Sequence, residues 1–140
     1  MANALYGKFK EALLNKEHDL NTDVIMATLI DKADYDAAGT INTDTTYVAG
    51  ANGVADAAKV AVTSLTSPTI ALGVFDSANF TWSAVTGDVS EAILLWNTTP
   101  TTPTADPLIA WYDASVTGLP VTPNGGDINV TVNGSGWFAL

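Results

Sequence analysis

The chain has 140 residues, of which 47% are apolar and 14% charged, and it contains no cysteine. This composition predicts one folded domain and excludes disulfides, thiolate zinc sites and a thiol nucleophile. The net charge is −10, yet the first 17 residues hold three lysines against two glutamates, while the rest hold two lysines against thirteen acids. We expect no binding to nucleic acid, because phosphates are neutralised by clustered cations.

The apolar segments are short. The longest, such as Val24 to Ile30, fall well below the roughly 20 residues that cross a bilayer. Near the N-terminus, Gly7, Lys8, Lys10 and Glu11 interrupt any apolar run of the kind found in a signal peptide. The sequence therefore predicts neither an integral membrane protein nor a secretion signal.

The first predicted element is an amphipathic helix over about Ala4 to Leu14, with Asn3 as its N-cap. Its apolar side chains follow helical spacing. They are Leu5, Tyr6, Phe9, Ala12 and Leu13. A helix this short is marginal alone in water, so it docks either on the protein's own sheet or on a partner subunit.

A buried strand and a long excursion follow the helix. The run from Val24 to Ile30 is apolar on both faces, which is typical of a central strand. From Asp31 to Ala58 the periodicity is weak, and acids, alanines, glycines and threonines predominate. We expect a surface excursion here, and a contact surface with a partner, because loops of such length are commonly functional.

The remaining chain predicts seven short strands separated by turns rich in glycine and asparagine. They are Lys59 to Ser64, Thr69 to Phe75, Asn79 to Ala84, Glu91 to Trp96, Leu108 to Asp113, Asp127 to Asn133 and Gly136 to Ala139. The three prolines of Thr98 to Pro107 predict a stiff exposed loop. The expected fold is mainly β: an antiparallel sandwich or barrel of seven or eight strands with one N-terminal helix, spanning residues 1–140 as a single domain.

No pattern of catalytic residues is evident, so we expect that the chain is not an enzyme. The one histidine, His18, lies in a polar turn that we expect to be exposed, and no nucleophile is arranged around it. The aspartates are scattered over predicted turns, where their local hydrogen bonds favour them. We expect no cofactor.

A calcium loop is suggested by Asp19, Asn21 and Asp23, which match its opening spacing. An EF-hand would also need glycine at Val24 and glutamate at Ile30, and both positions are apolar. The cluster of Asp31, Asp34 and Asp36 is better explained by solvated turns. The sequence therefore predicts no tightly bound metal.

The four tryptophans admit two interpretations. Trp82, Trp96, Trp111 and Trp137 all lie in predicted strands, so they pack in the core or, if exposed, form a platform for sugar rings. The sharing of strand faces with other apolar residues favours the core.

Several segments of the chain have the pattern of apolar residues and turns that is found in a known group of proteins. They are Ala4 to Leu14, Asp19 to Asp31, Gly73 to Asp76, Thr81 to Gly87, Glu91 to Leu95, Pro107 to Asp113 and Gly118 to Asp127. In these segments the chain resembles small virion structural proteins of tailed bacteriophages, whose members are regarded as head or tail components. The likeness leaves out the excursion from Ala37 to Ala58.

The resemblance implies a capsid decoration or cement protein that binds the outer surface of the head lattice as a symmetric oligomer such as a trimer. Its partner would be the major capsid protein, and it would be made in the host cytoplasm. The expected contacts come from the helix region or the excursion. The candidate interface residues are Leu5, Tyr6, Phe9, Leu13 and Tyr47. The alternatives are a tail or baseplate accessory, including a host-recognition protein, and a carbohydrate-binding module.

Overall fold

A computed structural model describes residues 3–100 and 104–140. In this part of the chain the fold is mainly β, with antiparallel sheets and one α-helix. The helix α1 is Gly7–Leu14, and two 3₁₀ turns are Ala37–Gly39 and Asp56–Ala58. The strands are β1 Ala4–Leu5, β2 Ile25–Ile30, β3 Lys59–Ser64, β4 Thr69–Ala71, β5 Val74–Asp76, β6 Phe80–Trp82, β7 Ala92–Asn97, β8 Leu108–Tyr112, β9 Ile128–Val130 and β10 Phe138–Ala139.

The central sheet has the strand order β1-β8-β7-β2-β3, and every neighbouring pair is antiparallel. Strands β7 and β8 are buried along their whole length, and β2 is nearly so. Their continuous apolar runs fit a sheet that is covered on both faces. The prediction of a buried central strand before Asp31 is therefore confirmed.

One face of the central sheet is covered by helix α1 and two small sheets. These have the orders β10-β5-β4 and β6-β9. The ring of Phe138 lies at the centre of this layer, with its centroid 5.8 Å from Phe9 and 5.3 Å from Phe75. Aromatic burial of this kind contributes a large share of core stability.

The opposite face is covered by the segment from residue 31 to 58. As expected, this segment lies at the surface and most of its residues are exposed or half-buried, but a few of its side chains are buried against the sheet. Ala37, Val54 and Ala58 are fully buried. Tyr47 stacks on Trp96 of the sheet, with ring centroids 4.0 Å apart. This burial could not be predicted from the sequence, because the buried residues lie in turns whose side chains follow no regular period.

The predicted helix begins too early. Residues Ala4 and Leu5 pair with β8 as the edge strand β1, and the helix starts only at Gly7. The predicted N-cap Asn3 instead accepts hydrogen bonds from the backbone N–H groups of Asp113 and Ala114 through its Oδ1. Pairing with an available sheet edge outweighs local helix propensity in a segment this short.

The predicted run Thr69 to Phe75 is two strands, because a tight turn separates β4 from β5. Leu72 and Gly73 at this turn have φ angles of 51° and 80°. Strand β3 has the bounds that the sequence predicts, β7 is shifted by one residue, and the other predicted strands are shorter. In the predicted loop Thr98 to Pro107, residues 101–103 lie outside the described residues, and Pro107 makes an isolated bridge with Thr46.

Candidate interaction surfaces

An exposed group of large apolar side chains lies beside the β4–β5 turn, and we name it the apolar patch. Its members are Leu13, Ile70, Leu72 and Leu140. Leu72 is fully exposed, while Leu140 is 72% and Ile70 50% exposed. Leu13, Ile70 and Leu140 also line a depression of about 470 Å³ whose floor includes Phe75. Clustered apolar exposure of this kind marks a contact site more often than isolated exposed residues do.

The turn and the C-terminus together hold the apolar patch in place. The backbone N–H of Leu140 donates to the carbonyl of Gly73 at 2.9 Å. A Cβ atom at Gly73 would lie 3.0 Å from the carbonyl oxygen of Leu140, and its positive φ also favours glycine. The close approach of these two backbone segments therefore depends on glycine at this position.

The polar side of the same depression includes His18, which is half-buried rather than exposed as expected. The side-chain amide of Asn97 lies 2.9 Å from Nδ1 of His18 and donates to the carboxylate of Asp23 at 2.6 Å. Burial lowers the pKa of His18, although the charges of Asp23 and Glu17 oppose that shift. A neutral imidazole that accepts at Nδ1 fits this arrangement.

The possible calcium loop is an ordered turn. Oδ1 of Asp19 accepts from the backbone N–H of Asn21, and Oδ2 of Asp23 accepts from that of Asp19. In the second acidic cluster, Asp31 and Asp36 likewise accept from backbone N–H groups two residues on. Over residues 3–100 and 104–140, no group of three or more potential ligands is placed to hold a metal ion. The absence of a tightly bound metal stays a prediction.

The second surface is a groove of about 810 Å³, which we name the neutral groove. It lies between the segment after β8 and the segment that joins β9 to β10. None of its lining residues is charged. They are Asn3, Ile93, Tyr112, Ser115, Val116, Thr117, Val130, Thr131, Val132, Asn133, Gly134, Ser135, Gly136, Trp137 and Phe138.

The candidate interface residues lie in different parts of the molecule. Tyr6 and Phe9 are buried in the chain's own core, at 0% and 1% exposure. Leu5 and Leu13 are partly exposed, and only Leu13 belongs to the apolar patch. Tyr47 is partly exposed on the opposite face of the central sheet, where its hydroxyl accepts from Thr28. The interface role of these residues stays a prediction, and in this structure the side chains of Tyr6 and Phe9 are covered by the chain itself.

Tyr6 is also part of a buried polar network. Its hydroxyl lies 2.9 Å from the hydroxyl of Tyr35, which donates to Asp44 at 2.8 Å. Burial raises the pKa of both phenols well above the usual value. Both tyrosines therefore remain neutral, and the network fixes the segment that covers this face.

Sequence reasoning missed Ile70, Leu72 and Leu140 as surface residues. Ile70 and Leu72 lie within the single strand that the sequence predicts over Thr69 to Phe75, and Leu140 is the last residue given. Gly73 was the available signal, since an isolated glycine within a strand pattern indicates a break or a close backbone approach.

The tryptophans confirm the core interpretation in three of four cases. Trp82, Trp96 and Trp111 are buried, and Trp137 is half-buried. The indole of Trp96 donates to the hydroxyl of Thr28 at 2.9 Å inside the core. These three rings are not accessible to a sugar.

The chain's one histidine, His18, has its Nδ1 atom 2.9 Å from the side-chain amide of Asn97. The expectation that the chain is not an enzyme stays a prediction. Comparisons with known proteins assign no activity to the chain: no protein-family model matches it, and no curated protein matches it. Among the described residues, no helix is long and apolar enough to cross a membrane.

Proposed function

We propose that this chain is a bacteriophage virion structural protein that decorates the capsid, binding the outer surface of the head lattice and stabilising it. The observation that carries the proposal is the apolar patch. Ile70 and Leu140 are exposed at one depression, and Leu72 is exposed at the adjoining turn, although the chain has a net charge of −10 and could cover its surface with polar groups.

Burial of the apolar patch would favour attachment to another protein. Transfer of a fully exposed leucine side chain out of water contributes about 2 kcal/mol, and Leu72 is in that state. The neighbouring strand β4 adds a sheet edge, since among the described residues it pairs with β5 alone. Its three residues are exposed and uncharged, and a strand of the partner would add to such an edge by backbone hydrogen bonds.

The resemblance to small virion proteins of tailed bacteriophages supplies the partner, which is the major capsid protein. A decoration protein occupies many equivalent sites, so weak contacts repeated by a homo-oligomer such as a trimer would suffice. The acidic body would face solvent on the virion, where like charge keeps particles apart.

We also propose that the layers form a β-sandwich of the kind used by exposed assembly modules. The support is that the five-stranded sheet packs one face against the three-stranded and two-stranded sheets through Phe75, Trp82 and Phe138. A sandwich places its loops and edges outward, where attachment can occur without loss of the core.

The second candidate is a tail or baseplate accessory, including a host-recognition protein. The same apolar patch would serve this role, with a tail protein in place of the capsid. A module that binds sugar on a flat tryptophan platform is less well supported, because Trp82, Trp96 and Trp111 are buried.

Co-sedimentation tests the proposal directly. Purified protein is added to genome-filled heads that lack it and, separately, to isolated tails, and the bound fraction is measured at increasing concentration. We expect saturable binding to heads at a fixed ratio to the major capsid protein, and light scattering of the free protein to give its oligomeric state. Saturable binding to tails alone would favour the second candidate, and binding to neither would contradict both.

A further inference from the structure

We propose that the neutral groove binds an uncharged carbohydrate. The groove holds about 810 Å³, within the range of roughly 300–1,000 Å³ that is typical of small-ligand sites. This proposal does not depend on the attachment function, because the groove and the depression beside the apolar patch share only Phe138 among their lining residues.

The lining of the neutral groove is unusual for this chain. Fifteen acidic residues occur in the sequence, and none of them lines the groove. An anionic or cationic ligand would lose its hydration here without gaining a countercharge. An uncharged ligand that is rich in hydroxyl groups meets no such penalty.

Hydrogen-bonding groups are placed around the opening. Five exposed side chains carry hydroxyl or amide groups: Ser115, Thr117, Thr131, Asn133 and Ser135. Within the part of the chain that the structure describes, no side-chain hydrogen bond occupies the hydroxyls of Thr117 and Thr131. Hydroxyl groups both donate and accept, which matches the hydroxyls of a sugar.

Aromatic rings form part of the wall, and their positions are fixed internally. The hydroxyl of Tyr112 donates to the carbonyl of Trp137 at 2.7 Å, and the indole of Trp137 donates to Ser77 at 2.8 Å. Their polar atoms are therefore engaged within the protein, and Trp137 remains partly exposed. A ring held in this way offers an apolar surface for the C–H groups of a pyranose at little entropic cost.

The turn on one side of the groove is also preformed. Oδ1 of Asn133 accepts a hydrogen bond from the backbone N–H of Ser135 at 2.8 Å. The backbone carbonyl of Asn133 accepts one from the backbone N–H of Gly136, also at 2.8 Å. A Cβ atom at Gly136 would lie 2.7 Å from the carbonyl oxygen of Phe75. The turn is thus packed tightly against β5, so the groove needs little rearrangement before binding.

The test uses the isolated, isotope-labelled chain and records its amide spectrum by NMR. The probes are maltohexaose, cellohexaose and chitohexaose. Each is added up to about 10 mM, a concentration at which binding with a millimolar dissociation constant is detected. Hexagalacturonate, which is acidic, serves as the contrasting probe. We expect at least one neutral probe to shift the signals of residues 115–117 and 131–137 saturably, and the acidic probe not to do so.

Two variants assign the site. Thr131→Arg places a bulky charge at the opening, and Thr122→Arg places the same group on an exposed residue outside the groove. We expect Thr131→Arg to weaken binding by at least about tenfold, and Thr122→Arg to leave it unchanged. Both replaced side chains are exposed, so the dispersed spectrum of the folded chain should persist in each variant.

Three results would overturn the proposal: no saturable shift with any neutral probe, equal binding of hexagalacturonate, or a shift that Thr131→Arg leaves unaltered. Because no virion particle is present, these results are independent of capsid attachment. Failure of the co-sedimentation test would equally leave the carbohydrate result standing.

Discussion

The apolar patch and the neutral groove lie on the same layer of the molecule but differ in chemistry. The patch presents Ile70, Leu72 and Leu140 to solvent, next to the titratable groups Lys16 and His18. The groove contains no charged residue, and its opening carries hydroxyl and amide groups. The first surface suits the large dry contact of another protein, whereas the second suits a small hydrated ligand.

The difference shows how one thin layer can support two separate contacts. The turn between β4 and β5 shapes the patch, and the turn between β9 and β10 shapes the groove. Phe138 lines both the groove and the depression beside the patch. The two surfaces should therefore respond independently to changes at their edges and together to a change at Phe138.

The largest expected effect is that of Phe138→Ala, a change to which both surfaces should respond. The ring packs against both Phe9 and Phe75, so its loss should lower the free energy of unfolding by about 3 kcal/mol. Urea unfolding measures the loss, and Phe138→Leu, which retains much of the volume, should cost less than half as much. An unfolding midpoint unchanged by the alanine variant would contradict the central place given to this ring.

The next effect concerns Leu72→Asp, which should weaken binding to heads by at least about tenfold by placing a charge in a dry contact. Because Leu72 is fully exposed, the melting temperature should not fall by more than a few degrees. Co-sedimentation with heads measures the binding.

Val48→Asp is the matched control, since Val48 is also an exposed apolar residue but lies in the segment on the opposite face. We expect this variant to bind normally. If Val48→Asp abolished binding and Leu72→Asp did not, the contact would belong to the excursion from Ala37 to Ala58 instead of the apolar patch.

The smallest effect is the dependence of stability on pH near the patch. The pKa of His18 is lower in the folded chain than its ordinary value of 6.5, mainly through burial. Its contribution to stability is therefore complete above about pH 6.5 and is lost as the pH falls through the folded pKa. Below that range, protonation of Nδ1 would remove the acceptor for the amide of Asn97.

Thermal unfolding between about pH 7.5 and 5.5 should show the loss as a fall in the melting temperature. His18→Gln retains an acceptor but does not titrate, so its stability should vary less over the same range. The one titratable residue in the lining of the neutral groove is Tyr112, whose pKa is raised further by burial, so saccharide binding should stay constant while the chain remains folded. Equal pH dependence in the variant and the natural sequence would exclude His18 as the cause.

The central strand, the helix and most later strands could be predicted from the sequence, because their apolar residues follow regular periods. The strand β1 could not, since Ala4 and Leu5 become a strand only when the distant strand β8 offers its edge. The packing of residues 31–58 was missed for a similar reason. Tyr47 packs on the central sheet by stacking on Trp96, and the sequence around Tyr47 does not indicate this contact.

The two candidate surfaces could be predicted even less well. Leu72 is exposed because the chain turns at Gly73, and a single glycine does not define where a turn falls. The neutral groove joins residues 115–117 with residues 130–138, and their proximity follows from the packing of separate sheets, as the hydrogen bond from Tyr112 to Trp137 shows. Exposure and concavity are properties of the folded chain, so they emerge only after its segments are assembled.

Cryo-electron microscopy of heads incubated with this protein tests the central claim most directly. The account predicts added density at regular positions on the outer lattice, with Ile70, Leu72 and Leu140 turned toward the major capsid protein or a neighbouring copy. Bare heads at saturating concentration, or bound density in which the apolar patch faces solvent, would contradict it.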